Sequence, residues 1–154
     1  MSILLFSFKF SIERAPFTKS SKFPLKRAKR IEKDVILTGL VSETDLINLY
    51  SSAEIYVFPS LYEGFGLPPL ESMACQTPVA ASYISSIPEV CGKGNAVFFN
   101  PHDYKDMAIK INALLKDKNL REELIQNGFK WVKNFSWDKM ADETLKIYKE
   151  CLHS

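Results

Sequence analysis

Residues 55–74 pass from an apolar run through a glycine loop into the start of a helix, an order that few folds accommodate. Ile55-Tyr-Val-Phe58 is apolar throughout and stops at Pro59. Gly64 and Gly66 follow at G-x-G spacing, and Pro68 and Pro69 stand where a helix would begin. Leu70, Met73 and Ala74 then recur at helical spacing. Proline suits the first helical turn because its missing N–H is not needed there. Glycines let the backbone approach a ligand closely. The free N–H groups and the positive end of the helix dipole favour an anion, above all a phosphate. Glu63 and Glu71 bracket the loop, and both can accept from hydroxyl groups. An anion cradle with two hydroxyl acceptors suits a ligand carrying phosphate and sugar. The loop is neither G-x-G-x-x-G nor a Walker loop, so a tight strand-to-helix turn with two solvated glutamates fits the same residues.

The remaining chain repeats the strand–helix alternation. Residues 3–12 alternate loosely and suit an edge strand, residues 13–23 read as a linker, and residues 25–33 as a short basic helix. Residues 35–39 (Val-Ile-Leu-Thr-Gly) predict a buried parallel strand. Ser42-Glu-Thr-Asp45 resembles a capping box with Asp in place of Glu, and Leu46, Leu49, Tyr50 and Ala53 line one helical face. Further strands are predicted at 79–82 and 96–99, with a short turn or helix at 86–90 between them. Three helical patterns follow at 103–116, 118–134 and from Ser136 onward, the last with Met140, Thr144, Ile147 and Cys151 on its core-facing stripe. The alternation predicts an α/β fold, a parallel sheet with helices on both faces. Ligands in such sheets bind beyond the carboxyl ends of the strands, where the 55–58 strand enters its glycine loop.

At 154 residues, 46% hydrophobic and 25% charged, the chain has the makings of one globular core. Net charge is +2, but residues 1–34 hold nine Lys/Arg against three Asp/Glu. The basic helix predicted at 25–33, with Lys26, Arg27, Lys29 and Arg30, lacks interleaved aromatics, so a solvated face is preferred to nucleic-acid binding, and weak contact with an anionic membrane surface is the alternative use of the basic segment. Cys75, Cys91 and Cys151 form no C-x-x-C pair, which argues against a disulfide framework or zinc site and for a reducing, cytoplasmic setting. His102 and His153 make no ligand pattern, and His102 suits a loop or helix start. No apolar run reaches the ~18–20 residues of a membrane span. The first eight residues lack the basic start and cleavage site of a signal peptide.

Glu63-(seven residues)-Glu71 around Gly-Phe-Gly-Leu-Pro resembles the E-x7-E motif of retaining GT-B glycosyltransferases, and of the family-4, group 1 enzymes in particular. Pro59-Ser60, Glu63-Gly-Phe-Gly-Leu-Pro68, Leu70-Glu71, Met73-Ala74, Thr77-Pro-Val79, Ile87-Pro-Glu-Val90 and Phe135-Ser-Trp137 all read like that family. The resemblance runs from about residue 35 to 152, so residues 1–34 form an N-terminal strand and basic linker and residues 35–154 a Rossmann-like domain, the C-terminal, donor-binding half of a GT-B fold. It implies that Glu63 is the catalytic-site carboxylate accepting from donor-sugar hydroxyls. Backbone N–H groups of Gly64, Phe65, Gly66 and Leu67 would meet sugar and diphosphate. Glu71 would bind the ribose, and Val41, in the 39–42 loop, would lie near the base. The implied substrate is a UDP- or GDP-hexose, with retention at the sugar and neither metal nor cofactor.

The sequence departs from the family pattern in three places. No acceptor-binding N-terminal domain is recognisable, nor is the strand and loop that carry an Arg and a Lys for the diphosphate. Gln76 stands where the family usually has Gly after a helix end, so residue 76 is expected in left-handed geometry. In the family the last helix packs on the N-terminal domain; here its bare surface implies self-association or a separate acceptor-domain chain. Three functions follow: an enzyme part active with a partner, a non-catalytic nucleotide-sugar-binding module, or a truncated inactive paralogue.

Overall fold

A computed structural model describes residues 3–5, 36 and 38–152. Four parallel strands form one sheet in the order β1-β2-β3-β4: β1 (Ile3–Leu5), β2 (Ile55–Phe58), β3 (Val79–Ser82) and β4 (Ala96–Phe99). Helices α1 (Glu43–Ser52), α2 (Leu67–Ala74) and α3 (Ile87–Cys91) connect the strands. After β4 come α4 (Tyr104–Lys116), α5 (Lys118–Trp131), a 3-10 turn (Val132–Asn134) and α6 (Trp137–Leu152).

Every residue of β2 and β3 is buried, as expected of strands covered on both faces. Because side chains alternate across a strand, Tyr56 and Phe58 enter one core with Leu46, Tyr50, Leu70, Met73 and Ile87. Ile55 and Val57 enter the other with Phe99, Leu114 and Leu124. The sheet thus carries α1–α3 on one side and α4 on the other, with α5 adding Leu124 to the second core and Trp131 to the first. Arg121 joins that second layer together: its guanidinium donates to the carbonyls of Leu114 and Leu115 at the end of α4, and lies 3.5 Å from Glu54.

Two expectations are corrected. The slot beside β2 is taken by β1, Ile3 pairing with Ile55 and Leu5 with Val57, and the described residues 36, 38 and 39 of the strand expected at 35–39 carry no strand assignment. Ile36 is 86% exposed, and Thr38 and Gly39 carry no strand geometry; residues 35 and 37 lie outside the described residues. One strand edge accepts one partner, and either short apolar run satisfies the pattern. Residues 3–5 of the expected 3–12 strand join the sheet, whereas residues 6–12 and the linker and basic helix predicted over 13–33 lie outside the described residues. Second, the Met140–Ile147 stripe does not face the core: no residue of α6 is buried, and these two are 51% and 57% exposed.

The helix ends follow the sequence closely. Ser42 Oγ accepts from Asp45 N–H at 3.1 Å and donates to the Asp45 carboxylate at 2.7 Å. Ser136 caps α6 through Lys139 N–H. At the end of α2, Gln76 N–H donates to Met73 C=O and Thr77 N–H to Ser72 C=O, the paired bonds of a Schellman motif. Gln76 has φ +60, the left-handed geometry expected of it. Gln76→Gly removes the Cβ strain, worth ~1–2 kcal/mol, against a smaller gain in unfolded-state entropy. A net rise of ~2–3 °C in Tm by calorimetry is expected; no rise would mean that the loop relaxes the strain by other means.

Candidate donor-binding site

The site lies past the carboxyl end of β2, where Phe58 gives way to the loop carrying Glu63, Gly64 and Gly66. Gly66 adopts φ 103 and ψ 57 and immediately precedes α2. That left-handed geometry is one a side chain rarely tolerates, which accounts for glycine there. Pro68 and Pro69 sit in the first turn of α2 and have no N–H to offer. Donors for an anion at this helix end are therefore chiefly the amides of Gly64 to Leu67.

Glu63 is half-buried, and its Oε1 accepts from Ser60 Oγ at 2.8 Å. Glu71 projects from α2 with its carboxylate exposed, and Oε2 accepts from Tyr50 Oη at 3.1 Å. Tyr50 is itself fixed from α1, where its carbonyl accepts from Thr77 Oγ1 at 2.6 Å. Burial, reinforced by the Glu71 charge and hydrogen bond, pushes the Tyr50 phenol well above its ordinary pKa, so it stays a donor. The fully buried Tyr56 phenol is raised in the same direction, first by desolvation and then by Tyr50, with Glu71 and Glu63 adding to it. Both carboxylates thus add to the rise of one buried phenol.

The other expected residues fall around this centre. Val41 is half-buried and packs against the cluster containing Tyr50. Phe65 and Leu67 are 47% and 45% exposed. Phe65 meets Phe135 edge-on with ring centroids 6.2 Å apart, and Phe135 meets Trp131 at 5.8 Å, tying the glycine loop to the chain before α6. His102 sits in the turn before α4, its N–H bound to Asn100 Oδ1, away from the site. Among the described residues, no group of three or more His, Cys, Asp or Glu is placed to hold a metal ion, and no helix is long and apolar enough to cross a membrane.

Sequence reasoning missed the contributions of Tyr50, Ser60, Ser85 and Ser86. Ser85 Oγ donates to Glu63 C=O at 2.7 Å and accepts from Glu63 N–H at 3.1 Å. Ser86 Oγ lies 2.8 Å from Phe65 C=O and 3.0 Å from Glu63 C=O. Only the Ser60 contact, three residues from Glu63, left a local signal; the others span more than twenty residues. Two open depressions, of about 190 and 600 Å³, lie elsewhere, lined respectively by residues such as Trp131 with Asn95 and Tyr83 with Lys110. Neither includes Glu63 or Glu71.

Residues 19–131 match the family described as glycosyl transferases group 1. Over 120 residues the sequence is 40% identical to the serotype-specific mannosyltransferase WbdA of Escherichia coli, covering 78% of this chain but 15% of that protein. The fold superposes on sucrose-phosphate synthase from Thermosynechococcus elongatus with a TM-score of 0.75 at 29% identity, over 84% of this chain and 33% of that one. It also superposes on the C-terminal domain of a group 1 glycosyl transferase, LpcC, from Francisella tularensis, with a TM-score of 0.60 at 32% identity, over 72% and 57% of the two chains.

Proposed function

The chain belongs to the group 1 glycosyl transferases, with a Rossmann-like GT-B domain, and from that premise we propose that it is the nucleotide-sugar-binding domain of a retaining hexosyltransferase. The observation that carries this reading is the pairing of Glu63 and Glu71 around the glycine loop, at the carboxyl end of β2 and the start of α2. Glu71 takes the ribose hydroxyls with the oxygen that Tyr50 leaves free. Glu63 takes hydroxyls of the donor sugar. The amides of Gly64 to Leu67 and the α2 dipole face the diphosphate. Val41 flanks the base.

In the reaction the acceptor oxygen bonds to the sugar's anomeric carbon as the bond from that carbon to the diphosphate breaks. The electron pair leaves with the diphosphate, and the acceptor proton passes to one of its oxygens. Negative charge grows where the loop amides and helix end already point, so they stabilise the transition state more than the ground state. No protein nucleophile is required. The exposed Glu71 and half-buried Glu63 suit one wall of a cleft whose acceptor side is supplied by another domain or chain. The names of relatives such as WbdA favour mannose among the hexoses, and a cytoplasmic setting matches where nucleotide sugars are used.

The test is calorimetric titration of the 154-residue chain, without metal, with UDP, GDP and their glucose and mannose conjugates. Saturable binding of one base series is expected. A folded chain that binds none of them at millimolar concentration would overturn the reading in favour of a fold without a working site.

A further inference from the structure

We infer that Ser85 and Ser86 are positioning residues that orient the amides of Gly64 and Gly66 toward the donor's diphosphate; this rests on the donor-site reading above. A hydroxyl carries a single proton, and that limits how the bonds can be shared out. Ser85 donates to Glu63 C=O at 2.7 Å while accepting from Glu63 N–H at 3.1 Å. Glu63 C=O thus has its donor, and the Ser86 proton goes to its nearer acceptor, Phe65 C=O, at 2.8 Å.

The peptide bonds transmit this arrangement. Those among the described residues are trans, and in a trans peptide the C=O and the following N–H point in opposite directions. Turning Glu63 C=O toward Ser85 turns Gly64 N–H away from it. Turning Phe65 C=O toward Ser86 turns Gly66 N–H away in the same manner. Glycines have no side chain to hold these planes, and Gly64 has nothing within 4 Å of where a Cβ would stand. The two prolines of α2 contribute no amides, so the directions of these two matter more.

The backbone of Ser85 supports the assignment. It has φ +47, one of two positive values at non-glycine residues among those described. Glycine would hold that geometry at no cost. Serine there carries strain in exchange for a hydroxyl that bonds Glu63 twice, the pattern expected of a functional loop.

Two measurements on the full chain test this. Ser85→Gly keeps the backbone geometry and removes the hydroxyl; Ser86→Ala removes the other. The double variant is expected to bind UDP or GDP about tenfold more weakly, with UMP or GMP affected less than twofold. Ser86→Thr, which keeps its hydroxyl, should restore most of the Ser86→Ala loss. Equal losses for mono- and diphosphates, or undiminished diphosphate binding, would overturn the inference. Loss of binding on Glu71→Ala shows separately whether the donor-site reading stands. In the ligand-free chain, amide order parameters of Gly64 and Gly66 should fall from about 0.85 to below about 0.6 in the double variant. Unchanged order parameters would overturn the inference even if no nucleotide binds.

Discussion

Glu71→Ala is expected to weaken binding of the preferred nucleoside diphosphate by about 30- to 100-fold. A carboxylate facing a ribose diol accepts two hydrogen bonds, and those to charged groups contribute ~1.5–3 kcal/mol each. Glu71 is exposed, so water competes for it and the net loss lies nearer ~2–3 kcal/mol in all. The fold should be little affected, since the side chain sits on the outer face of α2. Its bond from Tyr50 is the exception: that phenol loses one acceptor. Glu71→Gln keeps an acceptor oxygen without the charge and should fall between. Isothermal titration of the three proteins checks the order, and equal affinities for all three would remove Glu71 from the site.

Gly92→Ala is expected to destabilise the domain by about 3–5 kcal/mol and lower Tm by about 10 °C. Gly92 follows α3 with φ 71 and ψ 161, a region essentially reserved for glycine, where another residue costs ~1–3 kcal/mol. An added Cβ would also stand 2.7 Å from both Trp131 Cε2 and Asn95 Nδ2. Neither neighbour can withdraw freely. Trp131 Nε1 donates to Val90 C=O at 2.8 Å, and Asn95 Nδ2 donates to Cys91 C=O at 2.8 Å. Forcing extra volume into such a site costs a further ~1–3 kcal/mol. Denaturant unfolding followed by circular dichroism measures the change, and a loss below about 1 kcal/mol would show that the Trp131 contact yields.

What could be read from the sequence was what is local. The apolar run at 55–58, the glycine spacing and the paired prolines fixed a strand, a loop and a helix start within one short window, and the structure has them there. The left-handed Gln76 was legible because the family the sequence resembles has Gly after this helix end, where left-handed geometry is common. The capping bonds of Ser42 and Ser136 were legible from the residues beside them. Pairing between distant segments was not. Residues 3–5 and 35–39 are both short apolar runs, and nothing local says which of them lies beside β2. The serines that hold the glycine loop reach across from the turn after β3, so their hydroxyls looked like ordinary turn polarity. Tyr50 read as a core residue on an amphipathic helix; its phenol turned out to be both buried and bonded to Glu71.

The lack of any buried residue in α6 bears on how the chain holds together in time. A helix with no buried residue gains little from the sheet's cooperativity, so its helix–coil balance is largely its own. Sixteen residues are near the minimum length for an isolated helix in water. The i,i+4 pairs Lys139–Glu143 and Lys146–Glu150 add only a few tenths of a kcal/mol each. The sheet with α1–α5 and the terminal helix are therefore separate folding units, joined through the Trp131–Phe135–Phe65 rings. Fraying of α6 leaves the sheet standing, whereas movement of Phe135 would be felt at the glycine loop.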